Sequence, residues 1–388
     1  MSRIVKNASL PSPASDVPFG SNAVRLTLRQ WLAAGAVIGF VLYVLPRLWI
    51  GIEPLKVDAD YRIPYSLGQD YWMYQRVSRA TAGRPDRILV VGDSVVWGHY
   101  VAPDETLSHY LNEQAGENRF VNLGVDGIHP AAMQGLLQYY GRSIRNRDVI
   151  LHCNLLWLSS PRHDLQLDKE FAFNHPCLVP QFYPRIPCYR ASVSQRLAIA
   201  VQRHLPFAAW SSHIRTAYFA GLDVPTWTLD RPYENPLCAV TLKLPPPDEL
   251  PSPPPVAKSW TAQRLPKFNA SWVTLDGSIQ WAAFQRTVGL LRSRGNRVFV
   301  MVGPLNEPML TEESLAAYQQ LKQQATAWLV ENGVPCFVPD ALPSDLYADA
   351  SHPLAEGYAL LAARLSENEP LIRLQMLRRL RATRDRTR

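Results

Sequence analysis

The segment from Ile88 to Gly98 constrains the fold more than any other part of the chain. It reads Ile-Leu-Val-Val-Gly-Asp-Ser-Val-Val-Trp-Gly and begins with four apolar residues, three of them β-branched. Such a run favours a buried parallel strand. The strand would carry Ser94 to the C-terminal edge of a sheet, which is where open α/β sheets bind their ligands.

Further apolar runs follow this strand and alternate with helical patterns. We predict strands at 119–122, 148–153, 297–302 and 336–338, with helices between them. Alternation at this spacing is typical of βαβ units, whose strands are parallel. The sequence therefore predicts an α/β domain over residues 85–370, with a doubly wound, mostly parallel sheet flanked by helices.

A serine at this edge is a weak nucleophile unless a base accepts its proton and a third group orients the base. A candidate pair lies far downstream, in Asp349-Ala-Ser-His352-Pro353. On one turn, the Asp349 carboxylate can contact one imidazole nitrogen of His352, which leaves the other nitrogen for Ser94. Pro353 suits the first position of a following helix and would fix this turn.

Gly92-Asp93-Ser94 and Asp349-x-x-His352-Pro353, about 260 residues apart, resemble the two end motifs of the SGNH (GDSL) hydrolase superfamily. The resemblance implies a flavodoxin-like fold and acyl transfer through a serine ester. It assigns Ser94 as nucleophile, His352 as base and Asp349 as the residue that orients the base.

The same resemblance implies an oxyanion hole built from two intervening blocks. Residues 121–127 match the second block and offer the backbone N–H of Gly124. The third block of the family normally reads Gly-x-Asn-Asp. Here the corresponding residues, from position 152, are His-Cys-Asn-Leu, so only the asparagine, Asn154, is kept. The donors would be the N–H groups of Ser94 and Gly124 and the side-chain amide of Asn154. Candidates for substrate contact are Trp97, Asn306 and Glu307.

An apolar segment at 31–52 precedes the folded region. Fifteen uninterrupted apolar residues are followed by Pro46, Arg47 and five further residues. The 22 residues can cross a bilayer, since Arg47 can snorkel and Trp49 suits an interface. A cleaved signal peptide is the alternative, but no small-x-small cleavage pattern follows, so we predict an uncleaved anchor. The positive-inside rule does not decide its orientation.

The remaining segments differ in composition from the domain. Residues 1–30 are typical of a flexible tail, and residues 53–84 of an aromatic-rich connector. Residues 159–270 contain many prolines and one clear helical pattern, at 192–203, which predicts a large proline-rich insertion. It forms either a lid or substrate wall, or a surface addition without contact to substrate.

The positive charge of the chain is concentrated at its end. Residues 371–388 carry seven Arg and one Asp, whereas the whole chain has a net charge of +7. The basicity is thus a property of the tail and does not indicate nucleic-acid binding. Leucines at helical spacing between these arginines predict a basic amphipathic helix that suits an anionic membrane surface or an acidic partner, or else a solvated terminal helix.

The five cysteines show no metal-ligand spacing, and no H-E-x-x-H motif occurs, so we expect neither a metal site nor a cofactor. Cys153 and Cys336 fit core positions. In an oxidising compartment, Cys177 and Cys188 can form a disulfide, and Cys238 is an alternative partner. The other possibility is that these three thiols remain unpaired.

One N-terminal anchor followed by an SGNH-like domain with an altered third block is similar to the plan of envelope proteins that work beside membrane-bound O-acyltransferases. That resemblance implies a single-pass protein of the bacterial inner membrane with a periplasmic catalytic domain. Its substrate would be an acyl ester, above all an O-acetyl ester, of an envelope glycan or lipid. Three hypotheses stay open: a serine esterase, an acyltransferase partner that passes an acyl group to polysaccharide, and a non-catalytic scaffold. A multi-pass membrane O-acyltransferase is the expected partner.

Overall fold

The computed structural model describes residues 26–58, 61–244 and 257–372. Most of the predicted N-terminal tail, the central proline run of the insertion and most of the basic C-terminal pattern lie outside the described residues. The described residues form an α/β domain with a five-stranded sheet, preceded by one long apolar helix.

The sheet is entirely parallel, which confirms the predicted α/β architecture with a parallel sheet flanked by helices. Its strands are β1 Ile88–Gly92, β2 Phe120–Gly124, β3 Asp148–Cys153, β4 Arg297–Val302 and β5 Cys336–Phe337. Their spatial order is β2-β1-β3-β4-β5, and Gly92 of β1 lies beside Gly124 of β2. The chain runs outward from β1 to β2 and then returns to β3, so the winding direction reverses at β1. A reversal of this kind leaves a crevice at the C-terminal edge of the sheet.

Helices cover both faces of the sheet. In chain order, the α-helices of the described residues are α1 Leu28–Gly39, α2 Leu45–Ile52, α3 Tyr71–Ala82, α4 Ser94–Trp97, α5 Leu107–Ala115, α6 Pro130–Tyr139, α7 Val193–Gln202, α8 Pro206–Tyr218, α9 Val224–Asp230, α10 Trp260–Gln263, α11 Ile279–Ser293, α12 Glu312–Glu331 and α13 Ala355–Ser366. Residues of α3, α6, α11 and α12 share the larger apolar core, and residues of α5 and α13 share the smaller one. Because both faces are covered, β1, β2 and β3 are buried at every position.

The helix predicted to be an anchor, called the anchor helix below, comprises α1, a π-helical turn at Phe40–Val44 and α2. It extends over 25 residues, Leu28–Ile52, and is long and apolar enough to cross a membrane. At 1.5 Å per residue it measures about 37 Å, compared with a hydrocarbon core of about 30 Å. The helix begins three residues before the predicted segment because Thr27 and Gln30 form a capping box.

The segment 159–270 is more helical than predicted. In addition to α7, which was expected, it contains α8, α9 and the short α10. A proline occupies the first turn of both α8 and α9, where it is compatible with a helix, so the proline content concealed these helices. Helix α8 contacts α2 and α3, and α10 contacts the turn Ser344–Leu346. The three cysteines of this segment are free thiols, so none of the proposed disulfides forms.

Candidate active site

Ser94 is the first residue of α4, and Asp93 alone separates it from the end of β1. The Asp93 carboxylate caps this short helix by accepting the Val95 N–H at 3.0 Å. Gly92 makes the tight turn possible, because a Cβ there would lie 2.4 Å from Val96 Cγ2 and 2.7 Å from His152 Cβ. The strand and its cap therefore fix Ser94 at the C-terminal edge of the sheet.

His352 and Asp349 lie in the loop between β5 and α13. His352 Nε2 is 2.7 Å from Ser94 Oγ, and His352 Nδ1 is 2.8 Å from both carboxylate oxygens of Asp349. Since Nδ1 faces a carboxylate it carries a proton, which leaves Nε2 to accept the Ser94 O–H. The structure thus brings the three predicted residues together in the geometry of a nucleophile, a base and an orienting acid.

The electrostatics of the pair suit a base that becomes positively charged. Burial by itself lowers the pKa of His352, but the charge and hydrogen bond of Asp349 outweigh it and hold the pKa above its usual value. Burial raises the pKa of Asp349, but the His352 charge and hydrogen bond outweigh it and the pKa is lowered. Each partner therefore stabilises the charged form of the other.

Asn306 supports this loop from inside the domain. It is fully buried, and its side-chain amide donates to the Asp349 carbonyl at 3.3 Å while its oxygen accepts the Ser344 hydroxyl at 2.7 Å. Glu307 forms an ion pair with Lys322, and its side chain is only 14% exposed. The predicted substrate contacts of Asn306 and Glu307 are therefore corrected, because both side chains are engaged within the protein.

Trp97 is also part of the interior. Only 1% of the residue is exposed, and its indole N–H donates to the Ile63 carbonyl at 2.8 Å. The Arg62 guanidinium lies 4.1 Å from the centre of its ring. The predicted role of Trp97 in substrate contact is corrected, since this side chain joins the nucleophile turn to the connector.

Two of the three predicted oxyanion donors have partners within the protein. The Gly124 N–H donates to Asn122 Oδ1 at 2.9 Å, and one of the two N–H groups of the Asn154 amide donates to Asp93 Oδ2 at 2.8 Å. The Ser94 N–H stands at the start of α4, where a helix leaves its backbone donors without intrahelical acceptors. In this structure the predicted three-donor oxyanion hole is therefore not preformed.

Asp93 is the centre of a buried polar network that the sequence analysis missed. Its carboxylate accepts hydrogen bonds from His152 Nδ1 at 3.0 Å, Asn154 Nδ2 at 2.8 Å and Trp157 Nε1 at 3.0 Å. The other nitrogen of His152 lies 2.9 Å from the Gly303 carbonyl oxygen. Both ring nitrogens of His152 therefore lie within hydrogen-bond distance of an oxygen atom. Burial raises the pKa of Asp93, but the His152 charge and the hydrogen bonds bring it far below its usual range.

A positional signal for this network existed in the sequence. His152 and Asp93 lie at the C-terminal ends of two predicted strands, and adjacent parallel strands bring such ends together. A second imidazole–carboxylate pair lies beside the triad: His99 Nδ1 is 2.7 Å from Asp126 Oδ1, and the His99 ring is centred 5.0 Å from that of His352.

Comparison with known proteins gives no family assignment. No family model matches the chain, and no curated protein matches it either. The resemblance to SGNH hydrolases therefore rests on the two motifs and stays a prediction. Within the described residues, no group of three or more His, Cys, Asp or Glu side chains is arranged to hold a metal ion.

Proposed function

We propose that this chain is a membrane-anchored serine hydrolase of the SGNH type. It acts on acyl esters, above all O-acetyl esters, of an envelope glycan or lipid. The observation that carries the proposal is the 2.7 Å contact between Ser94 Oγ and His352 Nε2, with Asp349 on the opposite nitrogen of the ring. These residues come from distant parts of the chain and meet at the edge of the sheet where α/β proteins bind ligands.

The reaction follows from this geometry. Neutral His352 takes the proton of Ser94 as Oγ attacks the acyl carbonyl carbon, and Asp349 stabilises the imidazolium that forms. His352 then gives this proton to the departing alcohol, and the acyl group remains as an ester on Ser94. Water, deprotonated by His352, cleaves that ester to release the carboxylic acid and restore Ser94.

A second candidate is an O-acyltransferase partner, which rests on the resemblance to anchored envelope proteins with an altered third block. Attack by water and attack by a sugar hydroxyl both use the oxyanion hole, in which loss of one donor typically costs about 100-fold or more in rate, so the ester on Ser94 would turn over slowly without a bound acceptor. A long-lived ester on Ser94 could pass its acyl group to a sugar hydroxyl instead. In this version a multi-pass membrane acyltransferase supplies the acyl group and an extracellular polysaccharide receives it.

The proposed location is the bacterial inner membrane, with the catalytic domain in the periplasm. The length and composition of Leu28–Ile52 support a single membrane span. The periplasmic side follows from the resemblance to anchored envelope proteins, since the charges beside the span do not decide its orientation.

Covalent labelling tests the nucleophile. The full chain in detergent is treated with a fluorophosphonate probe and, separately, with p-nitrophenyl acetate. The wild type and the control Ser293→Ala, at the exposed end of α11, should react, whereas Ser94→Ala should show neither labelling nor turnover. Reaction of the folded Ser94→Ala variant, or a folded wild type that remains unlabelled, would remove both enzymatic candidates and leave the scaffold.

The time course of p-nitrophenol release separates hydrolysis from transfer. Sustained turnover in water alone supports the esterase. A single burst of one equivalent, followed by turnover only after an acceptor oligosaccharide is added, supports the acyltransferase partner. Mass spectrometry of the protein after the burst should show the acyl group on the peptide that contains Ser94.

A further inference from the structure

A basic cavity of about 330 Å³ lies where the anchor helix meets the folded domain. Its wall combines Arg47 and Ile50 of α2, residues of α3, the end of α6 and the turn between α7 and α8. The catalytic triad does not line it. The cavity is thus a site distinct from the one described above.

Cationic side chains dominate the polar part of its wall. No Asp or Glu lines it, whereas five arginines do: Arg47, Arg76, Arg79, Arg142 and Arg203. Arg76 forms a buried ion pair with Glu53. In the described part of the chain, no salt bridge pairs the other four with a carboxylate. Arg203 donates to the Cys177 and Val179 carbonyls, Arg47 to the Tyr43 carbonyl and Arg142 to the Gln138 carbonyl. Carbonyls carry no net charge, so the positive charges around the cavity still attract an anion, and phosphate oxygens match the donor geometry of a guanidinium group.

Much of the remaining wall is apolar, although it also contains Gln75 and His204. It includes Ile50, Leu55, Leu205 and Trp72. The indole N–H of Trp72 is buried and has no hydrogen-bond partner within the described ranges. A ligand with an anionic, hydrogen-bond-accepting head and an apolar remainder would satisfy both parts of this wall.

The position of the cavity relative to the anchor favours a lipid over a soluble anion. Arg47 and Ile50 belong to the last two turns of the apolar helix. Beside them, the Trp49 ring packs against Trp210 and Tyr218, with centroid distances of 5.9 and 6.3 Å. Trp and Tyr are enriched at the level of the lipid headgroups. With the helix placed across a membrane as proposed, the cavity lies at the depth at which lipid phosphates occur.

Helix α7 supports the same placement. It exposes Val193, Leu197 and Val201 at a spacing of four residues, and these side chains are 67%, 52% and 56% exposed. An apolar stripe of this kind suits the boundary between headgroups and acyl chains. Together with the anchor, α7 would hold the cavity against the bilayer.

A buried charge cluster fixes the shape of the cavity. Glu53, directly after the anchor, bonds to Arg76 and Tyr218, and its other contact is His213 Nε2 at 2.7 Å. His213 Nδ1 is 2.6 Å from Asp70, the N-cap of α3. The anchor, α3 and α8 are thereby held together, so the cavity exists before a ligand binds.

We propose that this cavity binds the phosphate headgroup of an anionic phospholipid, drawn from the leaflet in which the anchor helix ends. Arg79 and Arg142 would contact the phosphate oxygens, and the glycerol and acyl part would leave along Ile50. The proposal rests on the proposed membrane location and is independent of the chemistry at Ser94.

Native mass spectrometry of the full chain in mild detergent tests the proposal, with phosphatidylglycerol and phosphatidylcholine offered in equal amounts. Arg79→Gln/Arg142→Gln removes two cavity arginines. Arg84→Gln/Arg145→Gln removes two exposed arginines nearby that do not line the cavity, and serves as the matched control. The wild type and the control should retain phosphatidylglycerol about ten-fold in preference to phosphatidylcholine, and the cavity variant should lose this preference.

Three outcomes would overturn the proposal. The first is equal retention of the two lipids by the wild type, and the second is equal loss of preference in the cavity and control variants. The third is displacement of bound phosphatidylglycerol by inorganic phosphate as readily as by a short-chain phosphatidylglycerol, which would show a site for free phosphate. Membrane fractionation of the same proteins is read in parallel. A wild type that fractionates with soluble proteins refutes the membrane location itself, whereas the three outcomes in a membrane-bound wild type refute only the lipid site.

Discussion

Asp349 determines how readily His352 acts as a base. Its carboxylate lies 2.8 Å from Nδ1 of His352 and keeps the imidazole oriented toward Ser94. Its charge also accounts for much of the elevated pKa of His352, although burial acts in the opposite direction. His352 must be neutral to accept a proton, so activity should rise with pH through a midpoint above 6.5, the ordinary value for histidine.

The substitution Asp349→Asn should lower labelling of Ser94 by about 100-fold or more, because the amide no longer stabilises the imidazolium. The midpoint of the pH profile should also move to lower pH, since the carboxylate that raises the pKa of His352 is gone. Rates of fluorophosphonate labelling between pH 5 and pH 9 measure both effects. Asp345→Asn, an exposed residue of the same loop, should change neither. An unchanged midpoint in Asp349→Asn would contradict the assigned pairing.

Asn154 has a structural role that the family resemblance does not imply. Its amide donates to Asp93 and its oxygen accepts the Leu156 N–H at 3.0 Å, so it completes the buried network behind the nucleophile. Asn154→Ala should therefore lower the free energy of unfolding by about 1.5–3 kcal/mol, the usual value for a hydrogen bond to a charged group.

The same variant should lose less than about ten-fold in labelling rate, compared with about 100-fold or more for a true oxyanion donor. Chemical denaturation and labelling of the same preparation provide the two values. A large loss of rate at unchanged stability would show that Asn154 turns toward the reacting carbonyl during catalysis.

At the level of elements, the contact between α6 and the inserted segment depends on one small residue. Gly135 lies in the middle of α6, and a Cβ there would be 2.0 Å from the Leu178 carbonyl oxygen. Helix α6 also packs along α11. Gly135 thus allows the backbone of the insertion to approach a helix that covers the sheet.

Gly135→Ala should lower the free energy of unfolding by about 1–3 kcal/mol, since the backbone must move to accept the methyl group. Gly289→Ala is the matched control, because Gly289 also lies within a helix, α11, and a Cβ there meets no atom within 4 Å. The control should be stabilised by about 0.5–1 kcal/mol through the lower entropy of the unfolded chain. Equal effects of the two substitutions, measured by chemical denaturation, would refute the close approach.

For the whole molecule, the cluster around His213 joins three segments that are distant in sequence. Glu53 follows the anchor, Asp70 begins α3, and His213 belongs to the insertion. Burial lowers the pKa of His213, but its hydrogen bonds to Asp70 and Glu53 outweigh burial and raise the pKa to about 9. The segment 159–270 therefore links the long N-terminal helix to the rest of the domain through α8.

This elevated pKa predicts the direction of a pH effect on stability. Below pH 6.5 His213 is protonated in both the folded and the unfolded chain, so its contribution is fully present. The contribution, about 3 kcal/mol from the shift to about 9, should be lost as the pH rises from 6.5 through 9. The pKa of Glu53 is lowered and that of Tyr218 is raised, so these two neighbours do not titrate in this range.

Thermal unfolding of the full chain in detergent between pH 6 and pH 10 measures the effect. The wild type and His204→Gln, which alters an exposed histidine, should lose stability over this range. His213→Gln should be less stable at pH 6 and should show a weaker dependence on pH. The same slope in the wild type and in His213→Gln would contradict the prediction.

The sequence by itself determined the parallel α/β sheet, the apolar helix and the three residues of the candidate active site, Ser94, Asp349 and His352. Strand runs, helix caps and the spacing of Asp349 and His352 depend on neighbours along the chain, and such local signals are readable in one sequence. The helices α8 and α9 were missed because their prolines resemble loop signals until the helix start is known.

Only the tertiary structure decided the directions of buried polar groups. Asn154 and Gly124 occupy the expected strand ends, but their donors face Asp93 and Asn122. His213 and Glu53 are 160 positions apart, and no local pattern relates them. A buried donor takes whichever acceptor the packing of distant segments brings within about 3 Å, so its partner is a property of the folded chain as a whole.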